Sequence, residues 1–249
     1  MVRMRVGKFD YLNNFLPYYF LNEKVEIVEA NPREMASMLL SGRIDYAPVP
    51  AFFYLKNRER LRHYEFCVAS EGKVLSVVVV SRKKELDDGS IAVTPHSLTS
   101  VNLLKILLAE RGMKNMLVEV NTAKASEMLE LCPHALVIGD EAIKARMIYK
   151  VVMDLGEEWY ELTSLPAVFG ISASLKETNA EEMDRKILMA TEEGYRRFDE
   201  VVRAAEKAFK MPREFLEEYF RTLKFRLSSK ERRGLDEFEK YCRDYGLLE

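Results

Sequence analysis

The sequence has 249 residues, of which 48% are hydrophobic and 31% charged, a composition typical of a globular chain that excludes bulk disorder. Its 38 lysine and arginine residues balance 40 aspartate and glutamate residues, so no overall basic field favours nucleic acid as a partner. The longest apolar run, LSVVVVS, is too short to span a membrane, and the start lacks the apolar core of a secretion signal. We therefore expect a cytoplasmic protein without nucleic-acid or membrane partners.

The first eighty residues predict a β-loop-β-α-β order followed by two further strands. Apolar residues alternate with basic ones at the start, which is typical of a strand that ends near Phe9. Asn31 is the expected N-cap of the helix, Pro32 occupies its first position, and Gly42 follows its end. The predicted elements are a loop over 10–17, strands at 25–28 and 44–49, and strands at 64–69 and 75–81.

A charged, glycine-containing segment over 81–90 then marks a predicted boundary before a new alternation of strands and short helices. Strands are expected at 91–93, 117–120, 135–138 and 151–154, and helices at 101–111, 125–131 and 141–147. From residue 180 the pattern is nearly all helical, with one long amphipathic segment over 183–209 that is weakest at Gly194 and two shorter helices after it.

The predicted fold class is therefore α/β with two lobes and an interdomain cleft. Lobe 1 is expected to be discontinuous, formed by 1–81 plus 168–249 with the C-terminal helices packed against it, and lobe 2 to span 82–167. The chain then crosses between the lobes near residues 82 and 167. Ligands favour such clefts, so we expect the functional site there.

Several absences narrow the chemistry. The sequence contains no GxG, HExxH or GxSxG motif, which removes the usual support for a nucleotide, a zinc ion or an acyl-transfer serine. Cys67, Cys132 and Cys242 lie far apart and are expected to be small buried hydrophobic residues. We predict no metal and no cofactor, and a site made of hydroxyls, amides and backbone N–H groups.

The strongest local signal is IAVTPHSLTSVNLLK, a buried strand followed by a hydroxyl-rich turn that opens a helix. A helix N-terminus attracts a carboxylate, and the hydroxyls of Thr94, Ser97, Thr99 and Ser100 add donors. Serine and threonine are also the commonest caps, so an anion site and plain capping both stay open. His96 in this turn is either an acid or base near neutral pH or a solvated side chain.

Three further polar residues lie where strands end or begin. Tyr11 and Asn13 follow the first strand, at the edge where α/β sheets keep their ligands, although asparagine is also a common turn residue. Ser76 lies at the start of a buried strand and either faces the cleft or bonds its own backbone.

Two other patterns also admit two interpretations. Asp140 and Glu141 lie at a helix start, where acidic residues favourably match the helix dipole and need no ligand to explain them. The alternative is that they contact a ligand. Trp159, Tyr160 and Phe169 form either an apolar wall for a ring-shaped ligand or part of the core.

Six segments in order resemble the chorismate dehydratases of the futalosine route to menaquinone. They are VGKFDYLNNFLPYY, ANPREMASMLLSGRIDYAPV, SEGKVLSVVVVSRK, IAVTPHSLTSVNLLK, LVIGDEAI and DLGEEWYELTSLPAVF, and they run in family order over roughly residues 5–172. The resemblance implies a periplasmic-binding-protein-like (type II) fold. It also implies a carbon-oxygen lyase (hydro-lyase) that removes water from chorismate to give 3-[(1-carboxyvinyl)oxy]benzoate, without cofactor or metal. The sister branch of dihydroxynaphthoate synthases starts with a different loop, whose place is taken by YLN.

The resemblance also implies roles for individual residues. Asn13 and Ser76 take the catalytic positions near the reacting ring. A small-molecule dianionic substrate is expected to be held by Tyr11, Lys73, Thr94, His96, Ser97, Thr99, Ser100 and Asp140. Lys73 replaces a family proline, and His96 a residue that is usually small and polar.

Where relatives carry a serine-rich segment, this chain has PVPAFFY, which predicts a cleft wall that gains aromatic side chains. That departure keeps two alternatives open. One is a cytosolic protein that binds a small carboxylate without turning it over, and the other is a menaquinone-pathway enzyme with a modified substrate. The sequence predicts no oligomeric state.

Overall fold

The computed structural model describes residues 4–21, 25–95 and 97–248. Its eleven strands are β1 Arg5–Phe9, β2 Glu26–Ala30, β3 Ala47–Pro50, β4 Leu61–Ser70, β5 Val77–Ser81, β6 Ile91–Val93, β7 Leu117–Glu119, β8 His134–Ile138, β9 Lys150–Asp154, β10 Ala167–Leu175 and β11 Leu223–Arg226. Its α-helices are α1 Phe15–Tyr19, α2 Pro32–Leu40, α3 Ala51–Asn57, α4 Leu98–Glu110, α5 Ala125–Leu131, α6 Gly139–Ala145, α7 Leu155–Thr163, α8 Glu181–Arg196, α9 Phe198–Phe209, α10 Arg213–Thr222 and α11 Ser229–Asp244.

These strands form two main sheets and a small pair. The first sheet is antiparallel, in the order β11-β4-β10-β3, and the parallel pair β1-β2 joins it through a bridge between Val6 and Tyr46. The second sheet is mixed, in the order β7-β6-β8-β5-β9. Its interior strand β5 is buried along its whole length, as its unbroken valine run predicts.

Strand pairing corrects one predicted boundary. β5 bonds only to β8 and β9 of the second sheet, whereas the predicted division placed residues up to 81 in the first lobe. The crossing from the first sheet therefore precedes Val77, because β4 ends at Ser70 in the first sheet. The return crossing lies between Asp154 and Ala167, close to the predicted position. Apart from this strand, the division into 1–81 plus 168–249 and 82–167 stays a prediction.

Several predicted elements differ in kind or extent. The predicted loop after β1 contains a 3₁₀ turn over Leu12–Asn14 and then α1, while α3, α7 and β11 lie where no such element was predicted. The long C-terminal segment does break, but at Arg197 rather than at Gly194. Gly194 instead lies against α1, where an added Cβ would be 3.1 Å from Leu16. The glycine allows this close helix contact.

The local signals of the first helix agree with the structure. The Asn31 side chain accepts hydrogen bonds from the N–H groups of Arg33 and Glu34, as an N-cap does. All three cysteines are buried and free, as expected, and burial raises the pKa of Cys242 to about 12. Trp159 belongs to the core, where it packs edge-on against Phe238. Among the described residues, no helix is both long and apolar enough to cross a bilayer.

Candidate active site

A cleft with about 480 Å³ of empty space lies where the two main sheets and the loop after β1 meet. Six predicted site residues line it together: Tyr11, Asn13, Ser76, Ser97, Thr99 and Ser100. The other lining residues are mostly apolar: Phe9, Pro32, Pro50, Val68, Val77, Leu98, Ile138, Gly139, Phe169 and Gly170. No lysine, arginine, histidine, aspartate or glutamate is among these described lining residues.

The N-terminus of α4 points a set of neutral donors at the cleft. Ser97 is the N-cap, yet its side chain makes no capping bond, because its hydroxyl pairs with Thr94 Oγ1 at 3.1 Å. Plain capping by Ser97 is therefore not what this turn does. The first-turn N–H groups carry the positive end of the helix dipole, and the Ser100 hydroxyl lies beside them in the lining. This arrangement suits a carboxylate.

Thr99 also links the two halves of the cleft. Its Oγ1 accepts a hydrogen bond from the N–H of Phe52, the second residue of α3 in the other half, at 3.2 Å. Thr99 is 4% exposed, so this bond is shielded from water. The cleft is thus closed on this side by a specific polar contact as well as by apolar packing.

A short relay orients the amide of Asn13. The N–H of Phe9 donates to Asn14 Oδ1 at 3.0 Å, and Asn14 Nδ2 donates to Asn13 Oδ1 at 3.2 Å. Since the Asn13 oxygen is occupied, its NH₂ group is the end left to donate toward the cleft. Asn14 is fully buried and was not singled out in the sequence, although the repeated asparagine of LNN is a signal for it.

Ser76 is held at the start of β5 by two contacts from distant parts of the chain. Tyr219 of α10 donates its hydroxyl proton to Ser76 Oγ at 2.9 Å, and the N–H of Gly139 donates to the Ser76 carbonyl at 2.8 Å. Among the described residues, the only other hydrogen-bond partner of Ser76 Oγ is the Val74 carbonyl at 3.5 Å, which is longer than an ordinary hydroxyl bond. Ser76 thus has both a long bond to the local backbone and a place in the cleft lining.

The residue before Ser76 has a strained backbone that two charged side chains hold. Leu75 has φ of +65°, in the left-handed region that leucine disfavours. Asp154 accepts from the N–H groups of Val74 and Leu75 at 3.0 and 2.9 Å, while Arg146 donates to the Leu75 carbonyl at 2.9 Å. Both peptide groups of Leu75 are thus engaged, by two side chains that no sequence pattern singled out.

Tyr11 and Asp140 meet at the junction of the loop after β1 with α6. The Tyr11 ring lies over Gly139, whose φ is +60°, and an added Cβ there would lie 3.0 Å from ring carbons. Asp140 Oδ1 accepts from the N–H of Leu12 at 2.9 Å, so its carboxylate joins the two halves of the molecule. Burial raises the pKa of both Tyr11 and Asp140, which leaves the tyrosine protonated.

Four predicted ligand contacts lie elsewhere or outside the described residues. Thr94 and Asp140 line an adjoining depression that shares Tyr11, Ser97 and Ile138 with the cleft. Lys73 lines a separate depression, is largely exposed and pairs with Glu157 at 3.7 Å, so it is not among the residues that line the cleft. The solvent-exposed ion pair is the more favourable setting for its charge. His96 lies outside the described residues.

The predicted aromatic wall is also placed differently. Of the segment PVPAFF only Pro50 lines the cleft, because Phe52 and Phe53 turn away on α3 and pack into the core. The aromatic side chains that do line it are Phe9, Tyr11 and Phe169. The segment therefore adds no aromatic side chain to the cleft wall.

Comparisons with known proteins agree with this architecture. A family model described as menaquinone biosynthesis matches residues 4–244. A curated chorismate dehydratase from Thermus thermophilus is 30% identical over 241 residues, covering 89% of this chain and 88% of that protein.

Solved structures share the fold at low identity. Protein AF1704 from Archaeoglobus fulgidus superposes with a TM-score of 0.80 at 19% identity, covering 98% of each chain. The alkanesulfonate-binding protein SsuA from Xanthomonas axonopodis pv. citri, bound to MOPS, gives 0.74 at 14% identity, covering 100% of this chain and 95% of that one. The CA3427 product of Candida albicans, described as having the generic periplasmic binding protein fold, gives 0.67 at 12% identity, covering 98% and 91%.

The predicted periplasmic-binding-protein-like fold is therefore confirmed by the solved structures. The family predicted from six ordered segments is confirmed as well, over a longer stretch than those segments spanned. This chain belongs to the menaquinone biosynthesis family, and a chorismate dehydratase is among its relatives.

Proposed function

We propose that this protein is a chorismate dehydratase, a carbon-oxygen lyase that converts chorismate to 3-[(1-carboxyvinyl)oxy]benzoate and water. The observation that carries the proposal is the convergence of Asn13, Ser76 and the N-terminus of α4 on one neutral cleft in a chain of this family. The relative from Thermus thermophilus supports the choice of substrate.

The reaction needs little from the protein beyond position and selection. A proton leaves the ring carbon that carries the enolpyruvyl ether, and the hydroxyl leaves the neighbouring ring carbon. The C–H electron pair becomes the third ring double bond, so the ring becomes aromatic and the proton and hydroxide leave as water. Holding the substrate in one reactive conformer supplies much of the rate enhancement.

The site residues then divide the work by their chemistry. The N–H groups at the start of α4, with the hydroxyls of Thr99 and Ser100, hold one substrate carboxylate. Asn13 and Ser76 donate hydrogen bonds at the reacting part of the ring, where negative charge develops on the departing hydroxyl.

The proton acceptor in this proposal is the substrate's own side-chain carboxylate. The described lining residues include no carboxylate or imidazole, and the acidic groups Asp10, Asp140 and Glu141 belong to the adjoining depression. Burial raises the pKa of Asp10 and of Asp140, which makes each a stronger base. Neither residue lines the cleft, however. A base carried by the substrate needs no further protein group.

The test is an assay of the purified protein with chorismate, followed by the appearance of a benzoate chromophore and by mass. Ser76→Ala and Asn13→Ala are each expected to lower kcat about 100-fold, comparable to loss of a donor to a developing charge, and to change Tm little. Ser172→Ala is the matched control. This buried serine donates a hydrogen bond of 2.7 Å to Asp184, and neither residue lines the cleft. It should lose stability and keep kcat. Full activity in both cleft variants would refute the assigned roles.

A second candidate function is a binding protein that holds a small carboxylated aromatic ligand without turnover. The observation that favours it is the similarity to binding proteins such as SsuA, together with the lack of a base in the described lining. Thermal shift with 3-carboxymethoxybenzoate detects binding, since a ligand at 100 times its Kd adds about 2.7 kcal/mol. Binding of this analogue without any turnover of chorismate would favour this candidate, or the enzyme with a modified substrate.

A further inference from the structure

The hydroxyl of Tyr219 lies next to the cleft without lining it. Tyr219 is fully buried on α10, in the C-terminal helical part, and its ring stacks on Phe215 at 5.9 Å. Its hydroxyl makes one hydrogen bond to a described residue, to Ser76 Oγ at 2.9 Å. The rest of the side chain is explained by core packing, but the position of this polar atom is not.

The direction of this bond determines what Ser76 can do. A serine hydroxyl has one proton to donate and two lone pairs to accept with. Tyr219 occupies one lone pair, and the only acceptor that a described residue offers to the Ser76 proton is the Val74 carbonyl at 3.5 Å, too far for a normal hydroxyl bond. The Ser76 proton is therefore left for a ligand in the cleft, which Ser76 lines.

We propose that Tyr219 is a positioning residue that makes Ser76 a hydrogen-bond donor to the substrate, an inference that rests on the proposed dehydratase function. The Tyr219–Ser76–substrate chain runs in one direction, so each bond polarises the next and strengthens it. Without the tyrosine hydroxyl, the Ser76 hydroxyl is free to rotate toward Val74 and loses its preference for the departing group.

The surroundings of Tyr219 keep it in the protonated, donating form. Burial raises the pKa of its phenol and is the largest cause; the hydrogen bond with Ser76 lowers that pKa, and the charge of Asp140 raises it. No positively charged group is among the causes that act on this phenol. Tyr219 therefore donates across the whole pH range in which the protein would be assayed.

The test is Tyr219→Phe, which removes the hydroxyl and keeps the buried ring. We expect kcat to fall about 10-fold, the effect of one lost hydrogen bond in the transition state, while KM changes less than about 2-fold. In a Ser76→Ala background the same change should have almost no effect on kcat, because the group that Tyr219 orients is already absent.

Tyr195→Phe is the matched control. This tyrosine on α8 donates to the carbonyls of Phe220 and Leu223 at 3.0 and 3.3 Å, beside the same helix, and does not line the cleft. It should lower Tm at least as much as Tyr219→Phe and leave kcat unchanged. A Tyr219→Phe protein with parental kcat, or an equal fall with and without Ser76, would overturn the inference while leaving the proposed function intact. A parent protein inactive on chorismate would overturn both.

Discussion

Asp154→Asn is the sharpest available test of how Ser76 is held in place. In the structure Asp154 Oδ1 accepts from the N–H groups of Val74, Gly156 and Glu157, whereas Oδ2 accepts only from Leu75. Asparagine can keep its amide oxygen in the place of Oδ1 and so retain the cap of α7. Its NH₂ group then takes the place of Oδ2 and faces the N–H of Leu75, so this substitution breaks the Leu75 bond selectively.

The expected cost follows from that geometry. Leu75 is 2% exposed, so its N–H loses a charged acceptor and finds no water in exchange. A hydrogen bond to a charged group contributes about 1.5–3 kcal/mol, and an unsatisfied buried donor costs a similar amount, so we expect a loss of about 3 kcal/mol. Asp154→Ala also removes the helix cap, which adds about 1 kcal/mol. The left-handed conformation of Leu75 costs about 1–2 kcal/mol, so its release moves Ser76 and lowers kcat about 10-fold.

Urea unfolding of the parent, Asp154→Asn and Asp154→Ala measures their free energies of unfolding, and the chorismate assay measures kcat. Ser228→Ala provides the control, because Ser228 caps α11 in a capping box with Glu231 remote from the cleft. It should lose about 1 kcal/mol and keep its kcat. A loss below about 1 kcal/mol in Asp154→Asn, or an unchanged kcat at the full loss, would refute the reasoning that this carboxylate holds the turn before Ser76.

Two other substitutions test the junction between the loop after β1 and α6. Gly139→Ala puts a Cβ 3.0 Å from the Tyr11 ring at a φ of +60°, so we expect about 1–2 kcal/mol of destabilisation and a raised KM; unchanged KM in a folded variant would contradict the placement of Tyr11 in the site. Asp140→Asn keeps an oxygen for the N–H of Leu12 but removes a buried charge. Because burial raises the folded-state pKa of Asp140, the acid's contribution to stability is present below its unfolded pKa and is lost as pH rises through the folded one. Urea unfolding at several pH values should therefore show the free energy of unfolding of Asp140→Asn rising relative to that of the parent from about pH 4 to pH 7. A relative stability of the variant that grows toward acid pH would contradict this prediction.

Much of the fold could be predicted because its signals are local. The valine run of β5 indicates a strand buried on both faces, and Asn31 with Pro32 indicates the start of α2. Both features appear in the structure where the sequence predicts them. The hydroxyl-rich turn before α4 likewise indicates a polar helix start directly after a strand.

Two predicted features of the cleft are placed differently by the tertiary structure. Lys73 was expected to offer a cation to a substrate carboxylate, but it lines a separate depression and pairs with Glu157. Phe52 and Phe53 were expected in the cleft wall, and α3 carries them into the core. A short helix redirects side chains that a sequence pattern treats as continuous.

By itself the sequence determined the class of the fold, many of its strands and helices and the polar residues at the strand ends, since apolar periodicity and capping act over a few residues. Only the tertiary structure decided which partners orient those residues. Tyr219 lies 143 positions from Ser76, and Asp154 lies 79 from Leu75. Such bonds depend on how helices and sheets pack after they form, and neither composition nor periodicity carries that information.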